Sequence, residues 1–325
     1  KKILKIKISS INNQLLQLKE NEKKINEFYK FFSIIWGYIM KAVVIGGSGF
    51  LGSHICDQLT ESNHEVTIFD KNESSFRLDS QKIIIGDTAD KELMSSTING
   101  TDIVYHIAGL SDIDEAINKP SDTIIQNVLG TINILDILKE HKNIKFIYAS
   151  TVYVDSREGS FYRCSKEAAE NYIEEYHRLY DIDYRIIRFG SLYGPRSDHR
   201  NGIWRIINKA IESGIVEYEG NIESIREYIH VIDAARASVD ILTDEFKNQC
   251  ITLTGKESMR VYDLLNMISE IMDIKQKVQF KEKDYLGHYI RTPYAHKERF
   301  EFKYTSNKHI DIGQGLLKLI KSIKT

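Results

Sequence analysis

A glycine-rich stretch near the start of the chain constrains the fold more than any other feature. It reads Lys41-Ala-Val-Val-Ile-Gly-Gly-Ser-Gly-Phe-Leu-Gly-Ser-His54, a short β-branched run that stops at glycines and is followed directly by an amphipathic segment. This order predicts a strand, a tight turn and a helix. The glycines fit two spacings, Gly46-x-x-Gly49-x-x-Gly52 and Gly47-x-Gly49-x-x-Gly52. Either spacing lets the backbone approach a pyrophosphate at the helix N-terminus.

An acidic residue strengthens this interpretation. A second predicted strand, residues 65–69, ends in Asp70, about 20 residues beyond the glycines. A carboxylate at this point can accept hydrogen bonds from the ribose hydroxyls of a dinucleotide. A glycine spacing alone is weak evidence, but a strand before it, a helix after it and an acid at this distance together predict a dinucleotide site rather than an ordinary turn.

The overall composition excludes several classes of protein. The 325 residues suffice for one or two domains, and a net charge of −2 gives no electrostatic footprint for nucleic acid. The three cysteines, Cys56, Cys164 and Cys250, have no CxxC spacing. That argues against a disulfide framework and against a zinc site. We therefore expect a cytoplasmic protein with no metal and no nucleic acid partner.

Residues 1–39 differ in composition from the rest, since they are rich in Lys, Asn and Ile. The apolar run 28–40 carries Lys30 and is too short to span a bilayer. We expect these residues to be a poorly ordered N-terminal extension, or translated upstream sequence, with the fold beginning at Met40. The alternative is a helix that docks on a membrane or a partner. We expect no membrane partner.

Short apolar strands alternate with helical patterns along the chain. After the first two strands come predicted strands at residues 82–85, 102–107, 144–149 and 184–189, and the clearest helical patterns are 123–140 and 166–180. This alternation predicts an α/β fold, a doubly wound parallel sheet (Rossmann) with its ligands at the carboxyl ends of the strands.

The regular alternation of strands and helices ends after Gly190. Loops, a helix near 204–212 and one more strand at 251–253 follow, and then helical and irregular sequence. This predicts a smaller C-terminal substrate-binding lobe. We expect a dinucleotide-binding domain at residues 40–190, completed by about 230–255, and a substrate-binding lobe from 191–229 and 256–325.

Polar and small residues follow several predicted strands. Asp87-Thr88 follows the third strand, Ala108-Gly109-Leu110 the fourth and Ser150-Thr151 the fifth. All three turns fall at the ligand edge of the sheet. Ordinary turn chemistry explains Asp87 equally well, whereas for Ala108 and Gly109 we favour contact with the dinucleotide.

A tyrosine and a lysine come next. Tyr162-Arg-Cys-Ser-Lys166 begins a predicted helix, and a spacing of four puts Tyr162 and Lys166 on one face of it. Tyr304 and Lys308 have the same spacing, but they lie beyond the predicted sheet with no strand-end hydroxyl before them. We interpret the second match as chance.

From about Met40 to Leu253 the sequence resembles the extended short-chain dehydrogenase/reductase family, specifically its NAD-dependent epimerase/dehydratase branch acting on nucleotide sugars. The resemblance rests on Gly46-Gly-Ser-Gly-Phe-Leu-Gly52, on Asn127 in Asn-Val-Leu-Gly-Thr131, and on the Tyr162–Lys166 pair. Two later motifs, Arg188-Phe-Gly-Ser-Leu-Tyr-Gly-Pro195 and Arg226-Glu-Tyr-Ile-His-Val231, resemble substrate-side motifs of the family.

The resemblance implies a role for each matching residue. It implies that the catalytic residues are Thr151, Tyr162 and Lys166. It implies that NAD is bound by Gly46, Gly49, Phe50, Leu51, Gly52, Asp70, Asp87, Thr88, Ala108, Gly109, Leu110, Asn127, Tyr162 and Lys166. It implies that the substrate is bound by Thr151, Ser191 and Arg226. We also expect a homodimer and a small-molecule substrate.

Three departures from the family pattern are visible. Ser191 stands where members of the family usually have asparagine, and the segment between Thr151 and Tyr162 is short and lacks Val-Tyr-Gly. Dehydratases of the branch carry Asp-Glu after the catalytic threonine, where this chain has Val152-Tyr153. The third departure argues against dehydration.

The activity implied is that of an epimerase. Lys166 and a positive nicotinamide ring would favour the phenolate of Tyr162, which removes a hydroxyl proton from the sugar while Thr151 hydrogen-bonds the same oxygen. Two alternatives remain, a net NAD(P)-dependent oxidoreductase on a related sugar and a non-catalytic dinucleotide-binding regulator. Three intact catalytic residues make the regulator the weaker of the two.

Overall fold

A computed structural model describes residues 39–275, 278–281, 288–293, 301–304 and 308–324. The N-terminal extension expected at residues 1–39 therefore lies outside the described residues, apart from its last one. No helix in the described part of the chain is both long enough and apolar enough to cross a membrane.

The described residues form thirteen strands, numbered here in chain order. Their bounds are β1 Lys41–Ile45, β2 Glu65–Asp70, β3 Lys82–Ile85, β4 Ile103–His106, β5 Lys145–Thr151, β6 Asp183–Phe189, β7 Ser191–Tyr193, β8 Glu217–Glu219, β9 Ile225–His230, β10 Gln249–Leu253, β11 Ser258–Arg260, β12 Gln279–Lys281 and β13 Glu301–Lys303.

Eight of these strands make one central sheet in the order β13-β10-β6-β5-β4-β1-β2-β3, and every neighbouring pair is parallel. The central strands are apolar and buried on both faces, as a parallel sheet covered by helices requires. The predicted doubly wound parallel sheet is confirmed. The strand order reverses beside β1, where β4 lies on one side and β2 on the other. At such a switch point the connections leave a crevice for a ligand.

Ten α-helices lie in the described part of the chain. Their bounds are Phe50–Glu61, Lys91–Ile98, Ile113–Asn118, Pro120–Ile124, Gly130–Leu138, Ser160–Tyr180, Gly202–Ser213, Val231–Asp240, Val261–Ile271 and Ile312–Lys324. The helices Phe50–Glu61 and Val231–Asp240 pack together, and the helices Gly130–Leu138 and Ser160–Tyr180 form a second packed group with Lys91–Ile98. The second group covers one face of the sheet through a core that includes Ile134 and Ile173.

A second hydrophobic core is built from elements that follow Ser191. Its buried members come mainly from the helices Gly202–Ser213, Val261–Ile271 and Ile312–Lys324. The smaller sheets lie in the same part of the chain, with β9 between β11 and β7, and β12 paired with β8. This part therefore has its own packing, separate from that of the central sheet.

The structure corrects two details of the predicted elements. The helical pattern 123–140 is not one regular helix, because a π-helical turn, Ile125–Leu129, separates Pro120–Ile124 from Gly130–Leu138. The sheet also extends further than predicted, since Glu301–Lys303 pairs with β10 as an edge strand. This strand was not predicted because Glu301–Lys303 has a single apolar residue between two charged ones, whereas the predicted strands contain more apolar residues.

Candidate functional site

The glycine turn after β1 brings the backbone of two strands and a helix into close contact. Gly46 has a φ of +87°, and a Cβ at this residue would lie 2.5 Å from the backbone nitrogen of Ala108. A Cβ on Gly52 would lie 2.1 Å from the carbonyl oxygen of Gly46. Any other residue at either position would displace the turn. A Cβ on Gly47 would also lie 2.9 Å from the carbonyl oxygen of Val44, so the glycines that begin both spacings are required by the turn.

The helix Phe50–Glu61 starts at the end of this turn. Its N-cap is Gly49, and no described side chain caps it. The first backbone N–H groups of a helix have no partner within the helix, and the helix dipole places partial positive charge there. The turn therefore offers donors suited to a pyrophosphate.

Asp70 ends β2 beside this turn. One carboxylate oxygen accepts a hydrogen bond from the Ser48 backbone N–H at 3.0 Å, and the other accepts one from the Asn72 backbone N–H at 3.0 Å. Ser48 in turn donates its hydroxyl to the carbonyl of Asn72 at 2.9 Å. Because each carboxylate oxygen has two lone pairs, Asp70 fixes the glycine turn and retains the capacity to accept from a ribose diol.

The π-helical turn places Asn127 against the loop that follows β4. The amide oxygen of Asn127 accepts a hydrogen bond from the Leu110 N–H at 2.8 Å, and its amide nitrogen donates to the Leu110 carbonyl at 2.9 Å and to the Ser165 hydroxyl at 2.9 Å. Asn127 is only 1% exposed. Asn127 therefore joins the loop after β4 to the helix that carries Tyr162 through hydrogen bonds.

The structure brings Thr151, Tyr162 and Lys166 together at one cavity. Thr151 is the last residue of β5, and the other two lie one turn apart on the helix Ser160–Tyr180, all of them buried. The Thr151 hydroxyl acts on the Tyr162 phenol and lowers its pKa. The Lys166 ammonium donates to the Ala149 carbonyl at 2.8 Å and lies 4.7 Å from the centre of the Tyr148 ring.

The pKa values of Tyr162 and Lys166 shift in opposite directions, and both shifts favour the neutral form of the side chain. Burial raises the pKa of Tyr162 to about 12, and the hydrogen bond from Thr151 opposes part of that rise. Burial lowers the pKa of Lys166 to about 8, while the Glu170 carboxylate acts in the opposite direction. Lys166 does not by itself produce the predicted lowering of the phenol pKa. Further positive charge close to the phenol is required.

A cavity of about 530 Å³ lies at the ligand edge of the sheet, at the strand-order reversal. Most of the predicted site residues line it: Gly46, Gly49, Phe50, Leu51, Gly52, Asp70, Thr88, Ala108, Gly109, Thr151, Tyr162 and Lys166. Asp87, Leu110 and Asn127 do not line it. Asp87 forms an ion pair with Lys71 at 2.9 Å, and Leu110 and Asn127 are buried.

A second cavity, of about 1080 Å³, adjoins the first. It contains Ser191 and Arg226, the two further residues predicted to bind substrate. The cavities share six lining residues, Ser111, Ile113, Tyr153, Leu192, Arg200 and Asn201. A ligand in the second cavity can therefore reach the wall that carries Tyr162.

Sequence reasoning missed an aromatic group at this junction. The Tyr153 ring lies 4.6 Å from the Tyr289 ring and 6.5 Å from that of Tyr162, and the Tyr153 hydroxyl is hydrogen-bonded to His288 Nδ1 at 3.2 Å. Arg226 stacks its guanidinium 4.2 Å from the Tyr289 ring centre and donates to the Tyr289 carbonyl. No spacing in the sequence relates residues 135 positions apart, so only the structure could identify this contact.

The second Tyr-x-x-x-Lys match does not contribute to either cavity. Tyr304 follows the edge strand β13, and its hydroxyl donates to Asp240 at 3.1 Å. It is absent from the lining of both cavities. Of the described residues, none group as a set of three or more metal-ligating side chains.

Three comparisons place this geometry among known proteins. The model of the NAD dependent epimerase/dehydratase family matches residues 42–251. A Methanocaldococcus jannaschii protein named "Putative UDP-glucose 4-epimerase" is 33% identical over 266 residues, which cover 74% of this chain and 83% of that protein. A UDP-N-acetyl-alpha-D-glucosaminuronate decarboxylase of Bacillus cytotoxicus is 24% identical over 263 residues, 73% of this chain and 82% of the relative.

The fold also matches solved structures. The UDP-glucuronic acid 4-epimerase of Bacillus cereus, in complex with UDP-glucuronic acid and NAD, superposes with a TM-score of 0.77 at 22% identity. The match covers 88% of this chain and 99% of that one.

Proposed function

Because the chain belongs to the NAD dependent epimerase/dehydratase family, we propose that it is an NAD-dependent epimerase acting on a nucleotide sugar through a transient keto intermediate. One observation carries the proposal. Thr151, Tyr162 and Lys166 form the wall of the cavity that begins at the glycine turn, and that cavity opens into a second one beside the same wall. A dinucleotide and a second ligand can thus meet at the tyrosine.

The residues present fit NAD. The close backbone contacts at Gly46 and Gly52 leave room for a pyrophosphate at the uncapped helix start, and Asp70 faces the same cavity with lone pairs available. NAD held there would supply hydride transfer from and back to a sugar carbon, together with a positive ring close to the phenol of Tyr162.

The chain's own residues move the proton. Tyr162 as phenolate takes the proton of the sugar hydroxyl, and Thr151, which lines the same cavity, orients that oxygen. Lys166 is held by the Ala149 carbonyl, which keeps its ammonium beside the site. Once the keto sugar has rotated in the pocket so that the hydride would return to its other face, Tyr162 returns the proton to the sugar oxygen.

The second cavity supports a nucleotide sugar as substrate. Arg226 lines it with a guanidinium suited to a diphosphate, and Ser191 offers a hydroxyl there. A volume of about 1080 Å³ leaves space for a nucleotide and a sugar. We propose that residues 191–229 and 256–325 form the substrate-binding lobe and that residues 40–190, completed by about 230–255, form the NAD-binding domain.

A panel of UDP- and dTDP-linked hexoses, hexuronic acids and N-acetylhexosamines tests the activity. Each sugar is incubated with the protein and substoichiometric NAD, and the products are separated by anion-exchange chromatography. An epimerase converts far more sugar than the NAD present. Formation of NADH in proportion to product would instead identify a net oxidoreductase. NAD binding without any conversion would favour the regulator.

We also propose a homodimer, formed by the helical segment 120–129 and the helix Ser160–Tyr180. These elements pack side by side and expose large apolar side chains: Ile124, Ile125, Leu129, Phe161 and Tyr172. Phe161 and Tyr172 are about three helical turns apart and so share one face. A contiguous apolar patch of this kind suits a self-complementary interface.

Light scattering after size-exclusion chromatography tests the dimer. Phe161→Glu with Tyr172→Glu places two charges on the patch and is expected to yield monomers. Leu78→Glu changes an exposed leucine outside these helices and serves as the control. A monomeric unmodified protein would contradict the proposal.

A cytoplasmic location is proposed from the cysteines. All three cysteines are in the thiol form, Cys56 and Cys250 buried and Cys164 exposed. A reducing compartment suits such a set. Immunodetection in cell fractions tests it, and recovery from an extracellular fraction would contradict it.

A further inference from the structure

Behind the candidate active site lies a fully buried group of charges that the proposed mechanism does not use. Arg188 on β6 donates from Nε to Glu170 Oε1 at 3.0 Å and from Nη2 to Glu170 Oε2 at 2.7 Å. Its third nitrogen, Nη1, donates to Asp155 Oδ2 at 2.9 Å. The side chains of Glu170, Arg188 and Asp155 are 0%, 2% and 6% exposed.

This group touches the site at two points. Glu170 Oε1 also accepts the Ser150 hydroxyl at 2.5 Å, and Ser150 immediately precedes Thr151 at the end of β5. Glu170 further lies one helical turn beyond Lys166 on the same helix, so both side chains occupy one face. The carboxylate therefore contacts the strand that ends in the catalytic hydroxyl, and its charge acts on the catalytic ammonium one helical turn away.

The charges balance. Lys166 and Arg188 carry two positive charges, and Glu170 and Asp155 carry two negative ones, all in the protein interior. A buried charge is tolerated when an opposite charge and hydrogen bonds compensate for the lost water. Glu170 and Asp155 both accept hydrogen bonds from Arg188, so together they balance its charge and leave one negative charge over. Glu170 is the one of the two that also acts on Lys166, one helical turn away.

We infer that Glu170 is a positioning residue of the proposed epimerase, which fixes the Thr151 strand end through Ser150 and supplies a buried negative charge to the Lys166 ammonium. Arg188 and Asp155 hold Glu170 in the orientation that both tasks require. Asp155 belongs to the short turn Val152–Asp155, so the same group also anchors the shortened segment between Thr151 and Tyr162.

The other groups around Lys166 carry no charge. Its hydrogen-bond partner is the neutral Ala149 carbonyl, and its aromatic neighbour Tyr148 is a protonated phenol whose pKa burial raises well above the usual value. His106 is buried and neutral, with its pKa lowered to about 3 by burial and by Lys166 itself. Tyr162 is likewise neutral in the protein alone. Glu170 opposes the effect of burial on the pKa of Lys166.

Competitive labelling with acetic anhydride measures this charge directly, without substrate or NAD. The acetylated fraction of Lys166 is followed by peptide mass spectrometry across pH in the full chain, because only the neutral amine reacts. The unmodified protein should give a midpoint near pH 8, the value to which burial lowers the pKa. Glu170→Gln should move that midpoint down by about one unit.

The direction of the shift separates positioning from a merely structural role. If Glu170 only stabilised the fold, its loss would loosen the helix and raise the Lys166 midpoint toward the ordinary lysine value of about 10.4. An unchanged or raised midpoint in Glu170→Gln would overturn the inference. Glu170→Asp keeps the charge and should stay near pH 8 even if it is less stable.

A matched control comes from the same helix. Glu167 is adjacent to Lys166 in sequence but pairs with Arg163 at 3.0 Å and is 30% exposed. Glu167→Gln removes the same charge from a partly exposed position. The pH midpoint of Lys166 labelling should therefore stay unchanged. An equal shift in this variant would mean that the response is not specific to Glu170.

Turnover then tests the two contacts separately, with the nucleotide sugar that the panel identifies. In Glu170→Gln the alkaline limb of kcat against pH should move down by the same amount as the labelling midpoint. Ser150→Ala should lower kcat severalfold with the Lys166 midpoint unchanged. Normal kcat in Ser150→Ala would show that the hydrogen bond from Ser150 to Glu170 does not position Thr151. If no sugar is turned over, the proposed function fails while the labelling result still decides the effect of Glu170 on Lys166.

Discussion

At the scale of single residues, Tyr162 carries the strongest prediction. Tyr162→Phe removes one oxygen and keeps the packing of the buried ring, so turnover should fall by about 10² to 10⁴, the usual contribution of a positioned acid or base. NAD affinity should change little, because the cofactor turn is untouched. Turnover on the identified nucleotide sugar and NAD titration by calorimetry measure the two effects.

Tyr304→Phe is the matched control for this variant. Tyr304 has the same spacing to a lysine, but its hydroxyl bonds Asp240 outside both cavities. The Tyr304→Phe variant should retain nearly full turnover.

Lys166→Met should reduce both turnover and NAD affinity, since Lys166 lines the same cavity as the glycine turn. Near-normal turnover in Tyr162→Phe would exclude the proposed base and favour the regulator.

Asp70 makes a second prediction at this scale. Its carboxylate faces the first cavity and would repel the 2′-phosphate of NADP, so NAD should bind more tightly. Lys71 is not free to offset that repulsion fully, because it pairs with Asp87. Titration with both cofactors measures the preference. Equal affinity would show that Asp70 has been given the wrong role.

At the scale of elements, the turn Val152–Asp155 bears on the reaction. Dehydration after oxidation requires an acid at the leaving hydroxyl, and the two carboxylates nearby are badly placed for it. Asp155 is buried against Arg188, and Glu158 lines the second cavity but not the first, which contains Tyr162. We expect no 4-keto-6-deoxy sugar from any nucleotide hexose, as judged by mass spectrometry. Its accumulation would contradict this assignment.

The central strands and the residues at their ends were predictable because both depend on local sequence. Apolar runs such as Val43–Ile45 mark buried strands, and Thr151 follows one directly. Contacts between distant segments were not predictable. Tyr153 and His288 are 135 positions apart in the chain, and Glu170 on a helix meets Arg188 on a strand 18 positions later.

At the scale of the whole molecule, residues 1–39 should be dispensable. Every strand of the described sheet and every predicted site residue lies after Met40. A chain that begins at Met40 should keep its melting temperature and its NAD affinity. Differential scanning fluorimetry and calorimetry measure both. A large loss in either would mean that these residues contribute to the fold.

The π-helical turn Ile125–Leu129 has a consequence for how the gene can vary. Such a turn contains one residue more than regular helix, so loss of a single codon within it would restore the ordinary pitch. The shortened helix would be more regular, yet Asn127 would rotate by about 100° away from Leu110 and Ser165. Deletion here therefore improves the local helix while releasing the loop beside Lys166. In-frame deletions at these codons should survive selection for folding and be removed by selection for activity.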